Sequence, residues 1–333
     1  MTTVVTRTGQ LEQLTRSGVA TVAAQEFRLR IRSGWWRWLL AIWTTVVLLF
    51  AVLLRLALNA TGSVGAARPA GPPLFGGTLL FVLGLALLVV PALTAQSING
   101  DRERGTLATL QVTLLSASEI GLGRLAAAWG VVLVFLALTL PVVVWAMVEG
   151  GLTIAKVVVA LVVVALLLGV VCALSLAWSA LFARSITSAL VSYLTVFVLT
   201  IGTLIAFGLA TALTASGATG QARTDLTWPL IAPNPFVVLA DAAPRLPASR
   251  DLATGQLRER PLDPLGGLGD GMRDARRAPD SEVIAGGGQS RDPGPIWPLG
   301  LGIDVALGVG AAVVTIRRLR MPARKLARGV RVA

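Results

Sequence analysis

The amino-acid sequence predicts an all-α membrane protein, a polytopic bundle of six transmembrane helices with both termini in the cytoplasm. Hydrophobic residues make up 55% of the 333 residues and charged residues only 14%, whereas soluble domains carry about 25% charged residues. The mean hydropathy is +0.76. The apolar residues lie in blocks of about 18 or more, which is long enough to cross a bilayer.

The apolar blocks predict the positions of the six spans, which are residues 35–58, 74–97, 123–148, 152–182, 187–214 and 296–317. Residues 1–34 form a polar and basic cytoplasmic tail without the apolar core of a signal peptide, so the first block is expected to be retained. Trp35 and Trp36 open this block, and tryptophan is favoured at the lipid headgroup level. Just before them, Ala20 to Ile31 are expected to form an interfacial helix, with a frayed basic tail as the alternative.

The distribution of basic residues predicts the orientation of the chain. With the N-terminus inside, the cytoplasmic segments hold 17 Lys and Arg against five Asp and Glu, whereas the short outer loops hold only Arg68 and Glu149. Basic residues accumulate on the cytoplasmic side of membrane proteins. The formal charge of +12 is therefore explained by topology, and nucleic acid is not an expected partner.

The same topology divides the remainder of the chain. Spans one to five occupy residues 35–214, with a cytoplasmic coupling loop at 98–122. A long, partly mobile extracytoplasmic loop is predicted at 215–295, and a basic cytoplasmic tail at 318–333. A short apolar run after Asn234 interrupts the long loop. We expect this run to be either a re-entrant or interfacial piece that packs on the bundle or a loop with a buried anchor.

Several kinds of chemistry lack the residues that they need. The chain contains no histidine, which removes the commonest general base and metal ligand, so no catalytic residue and no metal site is expected. No G-x-x-x-x-G-K-[ST] motif is present, so the chain has no P-loop and no cofactor is expected on it. Asp304 is the only acidic residue deep inside a span, so a mechanism with two carboxylates is excluded as well.

Three charged residues within the spans are candidates for an ion pair. A charge inside a membrane helix is costly unless it is paired or faces water. Asp304 in the sixth span, Arg55 in the first and Lys156 in the fourth all fall in the outer half of the predicted bundle. We expect Asp304 to pair with Arg55 or Lys156, either as a fixed tie between helices or as part of an outer gate.

Small residues, prolines and hydroxyls predict how the spans pack. Gly302, Ala306 and Gly310 recur every four residues in the sixth span, a spacing that lets helix backbones approach closely. Pro91 and Pro141 are expected to kink the second and third spans. The fifth span is rich in hydroxyls that either satisfy the backbone or line a path: Thr187, Ser188, Ser192, Tyr193, Thr195, Thr200 and Thr203.

The loop between the second and third spans carries an amphipathic pattern. Leu107, Leu110 and Leu114 recur at i, i+3 and i+7 and form one apolar stripe, with charged residues at the start of the segment. Ser116 and Glu119 offer capping chemistry for the next helix. The stripe is expected either to press into the groove of a soluble partner or to form an ordinary interfacial connector.

This segment resembles the first cytoplasmic loop of ABC-2 type transporter permeases. That family typically shows an acidic-x-Glu-x-Gly-Thr-Leu segment, then Ser-x-x-Glu-Ile and a Gly-[Lys/Arg]-Leu that opens the third span. The matching residues, in order and spacing, are Glu103, Gly105, Thr106, Leu107, Ser116, Glu119, Ile120, Gly123, Arg124 and Leu125. Leu114 departs from the pattern, because the family often has proline there. The resemblance covers about residues 20–317.

The resemblance implies the permease subunit of an ATP-binding cassette exporter in the cytoplasmic membrane. Two such subunits, the same or related chains, pair within the membrane lipid, and each rests on a separate subunit that binds and hydrolyses ATP. The residues that would couple this chain to the ATPase are Glu103, Arg104, Gly105, Thr106, Leu107, Leu110 and Leu114. The alternative is a non-transporting membrane scaffold or anchor that recruits a soluble partner.

Overall fold

A computed structural model describes residues 16–32, 34–62, 69–95, 97–100, 116–215, 222–244, 263–276 and 294–320, and this part of the chain is helical, without strands. Its α-helices are α1 (Arg16–Arg32), α2 (Gly34–Ala60), α3 (Gly71–Thr94), α4 (Ala117–Ala137), α5 (Leu140–Val148), α6 (Ile154–Leu181), α7 (Ser185–Phe197), α8 (Thr203–Ala215), α9 (Thr224–Thr227), α10 (Pro235–Ala242), α11 (Pro264–Asp274) and α12 (Trp297–Arg320). A π-helical segment, Val198–Gly202, joins α7 to α8, and a 3-10 turn, Trp228–Leu230, follows α9.

Six helical stretches are long and apolar enough to cross a membrane, as the sequence predicts. Four are the single helices α2, α3, α6 and α12, whereas α4 continues into α5, and α7 continues through the π-helical segment into α8. The third stretch begins at Ala117, six residues before the predicted start, because a capping box opens it there. It is interrupted at Leu138 and Thr139, so the helix breaks just before Pro141, where a kink is predicted. Pro91 lies inside the continuous helix α3.

Helices α3 and α6 form the centre of the bundle. In the most apolar part of α3, 67% of the residues are buried, and in that of α6, 56%, against 17% in α2 and 0% in the fifth stretch. The main core cluster contains buried residues from every helix between α2 and α6, such as Val47 of α2, Leu83 of α3 and Val131 of α4. The first and fifth stretches therefore direct most of their apolar side chains outward, which suits a surrounding of lipid tails.

Three tryptophan side chains tie neighbouring helices together through their indole N–H groups. Trp43 of α2 donates to the Phe135 carbonyl of α4 at 3.1 Å. Trp129 of α4 donates to a carbonyl of α6 at 2.8 Å, and Trp178 of α6 donates to a hydroxyl of α7 at 2.9 Å. A buried indole N–H requires an acceptor, so these bonds specify that α2, α4, α6 and α7 are successive neighbours.

The apolar run after Asn234 forms the short helix α10, and seven of its eight residues are buried. The Asn234 side chain caps this helix by accepting a hydrogen bond from the Phe236 N–H at 2.9 Å. Its amide nitrogen donates to the Thr200 carbonyl at 2.6 Å and to the Thr203 hydroxyl at 2.8 Å. A π-helical turn does not form the regular α-helical hydrogen bonds. The Asn234 amide donates a hydrogen bond to a carbonyl within that turn. Of the two expectations for this run, the piece that packs on the bundle is the one observed.

The hydroxyls of the fifth stretch serve helix packing and backbone bonding. Ser188 donates to the Ala95 carbonyl at 2.8 Å, and Tyr193 donates to the Leu88 carbonyl of α3 at 3.0 Å. The hydroxyls that bond carbonyls one turn earlier in their own stretch belong to Ser192, Thr195, Thr200 and Thr203. These bonds favour packing over a hydroxyl-lined path as the role of these residues.

The packed face of α12 contains Gly300 and Gly308. A Cβ added at Gly300 would meet the main chain of the segment before α10, and a Cβ added at Gly308 would lie 3.2 Å from a side chain of α6. A Cβ added at Gly302 or Gly310 would meet no other atom of the described chain within 4 Å. Within the described chain the close approach is made by Gly300 and Gly308 instead, and the packing predicted for Gly302, Ala306 and Gly310 stays a prediction.

Candidate coupling junction and intramembrane charges

The coupling residues that the sequence predicts lie outside the described residues, whereas both flanks of their segment are described. The residues concerned are Glu103, Arg104, Gly105, Thr106, Leu107, Leu110 and Leu114. Residues 97–100 precede the segment, and Ser116 follows it. The geometry of these two flanks therefore defines how the segment is attached to the bundle.

The segment ends in a capping box at the start of α4. The Ser116 hydroxyl accepts a hydrogen bond from the Glu119 N–H at 3.2 Å, and the Glu119 carboxylate accepts one from the Ser116 N–H at 2.9 Å. The capping predicted for these residues is thus confirmed. A capping box bonds the N–H groups that the first helical turn leaves unsatisfied, so it specifies where the segment ends and α4 begins.

Arg124 joins the two flanks of the segment. The residue is only 3% exposed, and its guanidinium donates to the Ser97 carbonyl at 2.5 Å. Its Nε lies 3.9 Å from the Glu26 carboxylate of α1, at the long end of the range for an ion pair. One side chain of α4 thus holds the residues after α3 and the helix α1 together.

The residues after α3 are also bonded to α6. The Ser179 hydroxyl accepts hydrogen bonds from the N–H groups of Ile98 and Asn99 at 3.1 and 3.2 Å. A small apolar cluster contributed by several elements accompanies these bonds: Ile98, Ile120, Leu176, Ala180 and Leu319. We refer to the residues that make these polar contacts as the loop junction: Ser97, Ile98, Asn99, Ser116, Glu119, Arg124 and Ser179.

Helix α1 packs along the first turns of α4, beside the loop junction. A Cβ added at Gly123 would lie 2.7 Å from the Cβ of Val22, which is buried. A Cβ added at Gly18 would meet the Glu119 carboxylate. Glycine therefore permits this close approach on both helices. Residues 20–31 are helical as part of α1, so the alternative of a frayed tail is excluded for that range. The interfacial position of this helix stays a prediction.

Arg55 forms its ion pair with Glu149. Its Nε and Nη2 donate to the two carboxylate oxygens of Glu149 at 2.8 and 3.0 Å, and its Nη1 donates to Asn59. The Trp145 indole N–H also donates to Glu149, at 3.2 Å. The predicted pair between Arg55 and Asp304 is therefore wrong, because the end of α2 lies beside the end of α5 and its carboxylate. The Arg55 guanidinium lowers the pKa of Glu149 below its ordinary value.

Asp304 is buried and forms no ion pair with the residues that the structure describes. The residue is 1% exposed, and neither carboxylate oxygen has a hydrogen-bond partner in the part of the chain that the structure describes. The predicted pair with Lys156 is wrong too, because this lysine is exposed at the start of α6 and lines a recess with Asp241 instead. Gly300 and Gly308, on either side of Asp304, admit main chain and apolar side chains rather than a cation.

A second buried carboxylate, Asp241, has both oxygens engaged. One accepts hydrogen bonds from the N–H groups of Ile296 and Trp297 at 2.6 and 2.9 Å, and the other accepts one from Arg273 Nε at 2.8 Å. Asp241 therefore caps the start of α12 and binds α11 to α10. Sequence reasoning missed this residue. The available signal was an acidic residue inside an apolar run, because a buried carboxylate must be paired and hydrogen-bonded.

The Arg55–Glu149 pair is expected to contribute about 1 kcal/mol in a double-mutant cycle of Arg55→Ala and Glu149→Gln, because both side chains are partly exposed. Arg55 lowers the pKa of Glu149 in the folded state, so this coupling is fully present above the unfolded pKa of about 4.3 and is lost only as the pH falls through the lower folded pKa. Equilibrium unfolding in detergent at neutral pH and along a descending acid series measures the coupling. Coupling of the same size at low pH would contradict the ion pair.

No protein-family model matches this chain, and no curated protein matches it. The structure itself defines the class: the described part of the chain is all-α and contains six helices long and apolar enough to cross a membrane. The loop junction lies where α3 and α6 end, and Asp241 lies where α12 begins. Asp304 lies within α12, between these two polar regions.

Proposed function

We propose that the chain is the transmembrane permease subunit of an ABC-2 type exporter, which moves a substrate across the cytoplasmic membrane with ATP hydrolysed by a separate subunit. The observation that carries this proposal is the segment from Glu103 to the capping box of Ser116 and Glu119. Its Glu-x-Gly-Thr-Leu motif resembles the coupling loop of that family. The six helices able to span a membrane are consistent with the proposal.

The contacts of the loop junction suit a coupling role. A displacement of residues 101–115 would act on Ser97 and on the first turns of α4 together, because Arg124 bridges them. Ser179 would pass the same displacement to α6 through two hydrogen bonds. Since α3 and α6 are the central helices of the bundle, motion of an ATPase at this segment would reach the middle of the membrane domain.

In this proposal the loop junction lies at the cytoplasmic end of the bundle. The last turn of α12 carries Arg317, Arg318 and Arg320, and Leu319 packs in the apolar cluster of the junction. Basic residues favour the cytoplasmic side of a membrane and also the last turn of a helix. The ATPase subunit would therefore approach the end of the bundle at which α3 and α12 terminate.

Cysteine labelling tests this orientation, because the single cysteine of the chain, Cys172, is fully buried. In intact cells, a membrane-impermeant maleimide should label Leu226→Cys, at an exposed position following α8, and should leave Leu107→Cys unlabelled. Once the cells are opened and the ATPase subunit is stripped from the membrane, both variants should react. Labelling of Leu107→Cys from outside would overturn the orientation and, with it, the coupling role.

Glu103→Ala and Leu107→Asp are expected to uncouple the partner ATPase from the chain. The first variant removes a charge at the start of the segment, and the second places a charge in its apolar stripe. The tagged chain is purified with the P-loop ATPase that accompanies it and is reconstituted in vesicles. Chain-dependent ATP turnover should fall at least about fivefold, as expected when an anchoring interface contact is lost.

Leu107→Ile, which keeps the stripe apolar, and Asp225→Ala, in the region after α8, are the matched controls and should retain full turnover. Unchanged turnover in both Glu103→Ala and Leu107→Asp would contradict the proposal. ATP turnover by the chain alone would contradict a separate ATPase subunit. A stable complex in which the chain never alters ATP turnover would favour the scaffold alternative.

A further inference from the structure

A recess of about 330 Å³ opens at the start of α6 and α12 and is also bordered by α10 and α11. The residues of its lining that matter chemically are Ala155, Lys156, Val159, Asp241, Arg273 and Trp297. Small-molecule sites in proteins have volumes of about 300–1,000 Å³, so the recess accommodates a group the size of a lipid headgroup. Nothing in the coupling role uses it.

The charged side chains that line the recess in the described part of the chain sum to +1. Lys156 and Arg273 contribute two positive charges, and Asp241 contributes one negative charge. Both oxygens of Asp241 are engaged by Arg273 and by the first N–H groups of α12. The Lys156 ammonium forms no ion pair with any described residue. An anion of charge −1 would therefore neutralise the net positive charge of this lining.

The recess lies at the ends of two helices that are able to span a membrane, which is where lipid headgroups are expected. Lys156 is the third residue of α6, and Trp297 is the first residue of α12, so both lie at the end of a helix able to span a membrane. Tryptophan and lysine are favoured at this depth because each combines an apolar body with a polar tip. Ala155 and Val159 add apolar wall beside the lysine. A ligand that fits must be anionic at one point and apolar beside it.

We propose that this recess binds a phosphodiester group of charge −1, with the Lys156 ammonium as its principal partner. Lysine binds phosphate oxygens as a compact point charge. The Thr153 side chain does not cap α6, so the first N–H groups of that helix add a second attraction for an anion. Two sources present this chemistry: the headgroup of a lipid such as phosphatidylglycerol, and its soluble counterpart glycerophosphoglycerol.

The experiment uses the full chain in phosphatidylcholine nanodiscs that contain spin-labelled phosphatidylglycerol, and it measures the fraction of immobilised lipid. Lys156→Gln should weaken the preference for phosphatidylglycerol about fivefold, the effect of one basic residue on an anionic lipid. Lys156→Arg should keep the preference. Ala155→Trp fills the recess without changing its charge and should weaken the preference as well. Arg223→Gln removes a charge from the segment after α8, outside the recess, and should change nothing.

Competition with glycerophosphoglycerol separates the two sources. Displacement of the labelled lipid would assign a soluble phosphodiester as a ligand, and persistence of the immobilised fraction would assign the lipid itself. The proposal is overturned if Lys156→Gln and Ala155→Trp both keep the preference of the unchanged protein. It is also overturned if phosphatidylglycerol is immobilised no more than spin-labelled phosphatidylcholine. Lys156 and Ala155 are exposed, so these variants should fold.

Discussion

Replacing Asp241 by alanine is expected to lower the free energy of unfolding by about 3–5 kcal/mol, the usual cost of breaking a buried ion pair. The change leaves the Arg273 guanidinium without this carboxylate and removes the acceptor for the N–H groups of Ile296 and Trp297. The side chain of Asp241 is completely buried in the folded protein, so these bonds are shielded from solvent. Equilibrium unfolding of the detergent-solubilised chain, followed by circular dichroism, measures the loss.

Asp225→Ala is the matched control, because Asp225 also bonds an arginine through both oxygens. Its bonds to Arg223 are 2.9 and 3.0 Å long, yet they join residues only two positions apart, and the arginine side chain is 41% exposed. Asp225→Ala is therefore expected to lower the free energy of unfolding by less than about 1 kcal/mol. Asp241→Asn keeps an acceptor but loses the charge, so its loss of unfolding free energy should lie between those of Asp241→Ala and Asp225→Ala. Equal losses for Asp241→Ala and Asp225→Ala would contradict the assignment of Asp241 as the carboxylate that joins three helices.

Replacing Asp304 by valine is expected to raise the free energy of unfolding by about 2 kcal/mol. Neither carboxylate oxygen of Asp304 has a hydrogen-bond partner among the described residues, and the residue is only 1% exposed. An unsatisfied buried polar group costs about 1–3 kcal/mol, and a charge inside a membrane helix costs about 2.5–3.5 kcal/mol. Valine is an apolar side chain of similar shape, so it removes this cost with little change in packing.

Asp304→Asn separates the two contributions, because asparagine keeps the shape and the polarity but removes the charge. Asp304→Asn is expected to raise the free energy of unfolding by less than Asp304→Val does, as measured by the same unfolding experiment. A clear loss of stability in Asp304→Val would show that the carboxylate has a stabilising partner in the assembled protein, and the expectation would then be wrong. A gain in stability together with a loss of chain-dependent ATP turnover would identify Asp304 as a functional group, since intramembrane carboxylates are retained at a cost to stability.

The position of each span could be predicted from the sequence, because crossing a membrane depends on the summed hydropathy of about 20 consecutive residues. The capping box at Ser116 and Glu119 was predictable for a similar reason, since its two residues are only three positions apart. The coupling segment between Glu103 and Leu114 remains a prediction from its sequence, because it lies outside the described residues.

The ion-pair partners could not be predicted, because they depend on which helix ends meet. The sequence contains one deep intramembrane carboxylate and two nearby cations, which favours pairing Asp304 with Arg55 or Lys156. The bundle instead places Arg55 beside Glu149, 94 positions later in the chain. It also leaves Asp304 on a face of α12 that packs against main chain and apolar side chains rather than a cation.

The sequence by itself therefore determined the class of this protein: an all-α chain with six apolar stretches of membrane-spanning length and a cap at the start of the third. These properties are local, since each is decided by residues within one helix. Only the tertiary structure decided the loop junction, the engagement of Asp241 by α11 and α12, and the burial of Asp304 without a hydrogen-bond partner among the described residues. Each of these results from packing around α3 and α6, which brings together residues that are tens of positions apart in the chain.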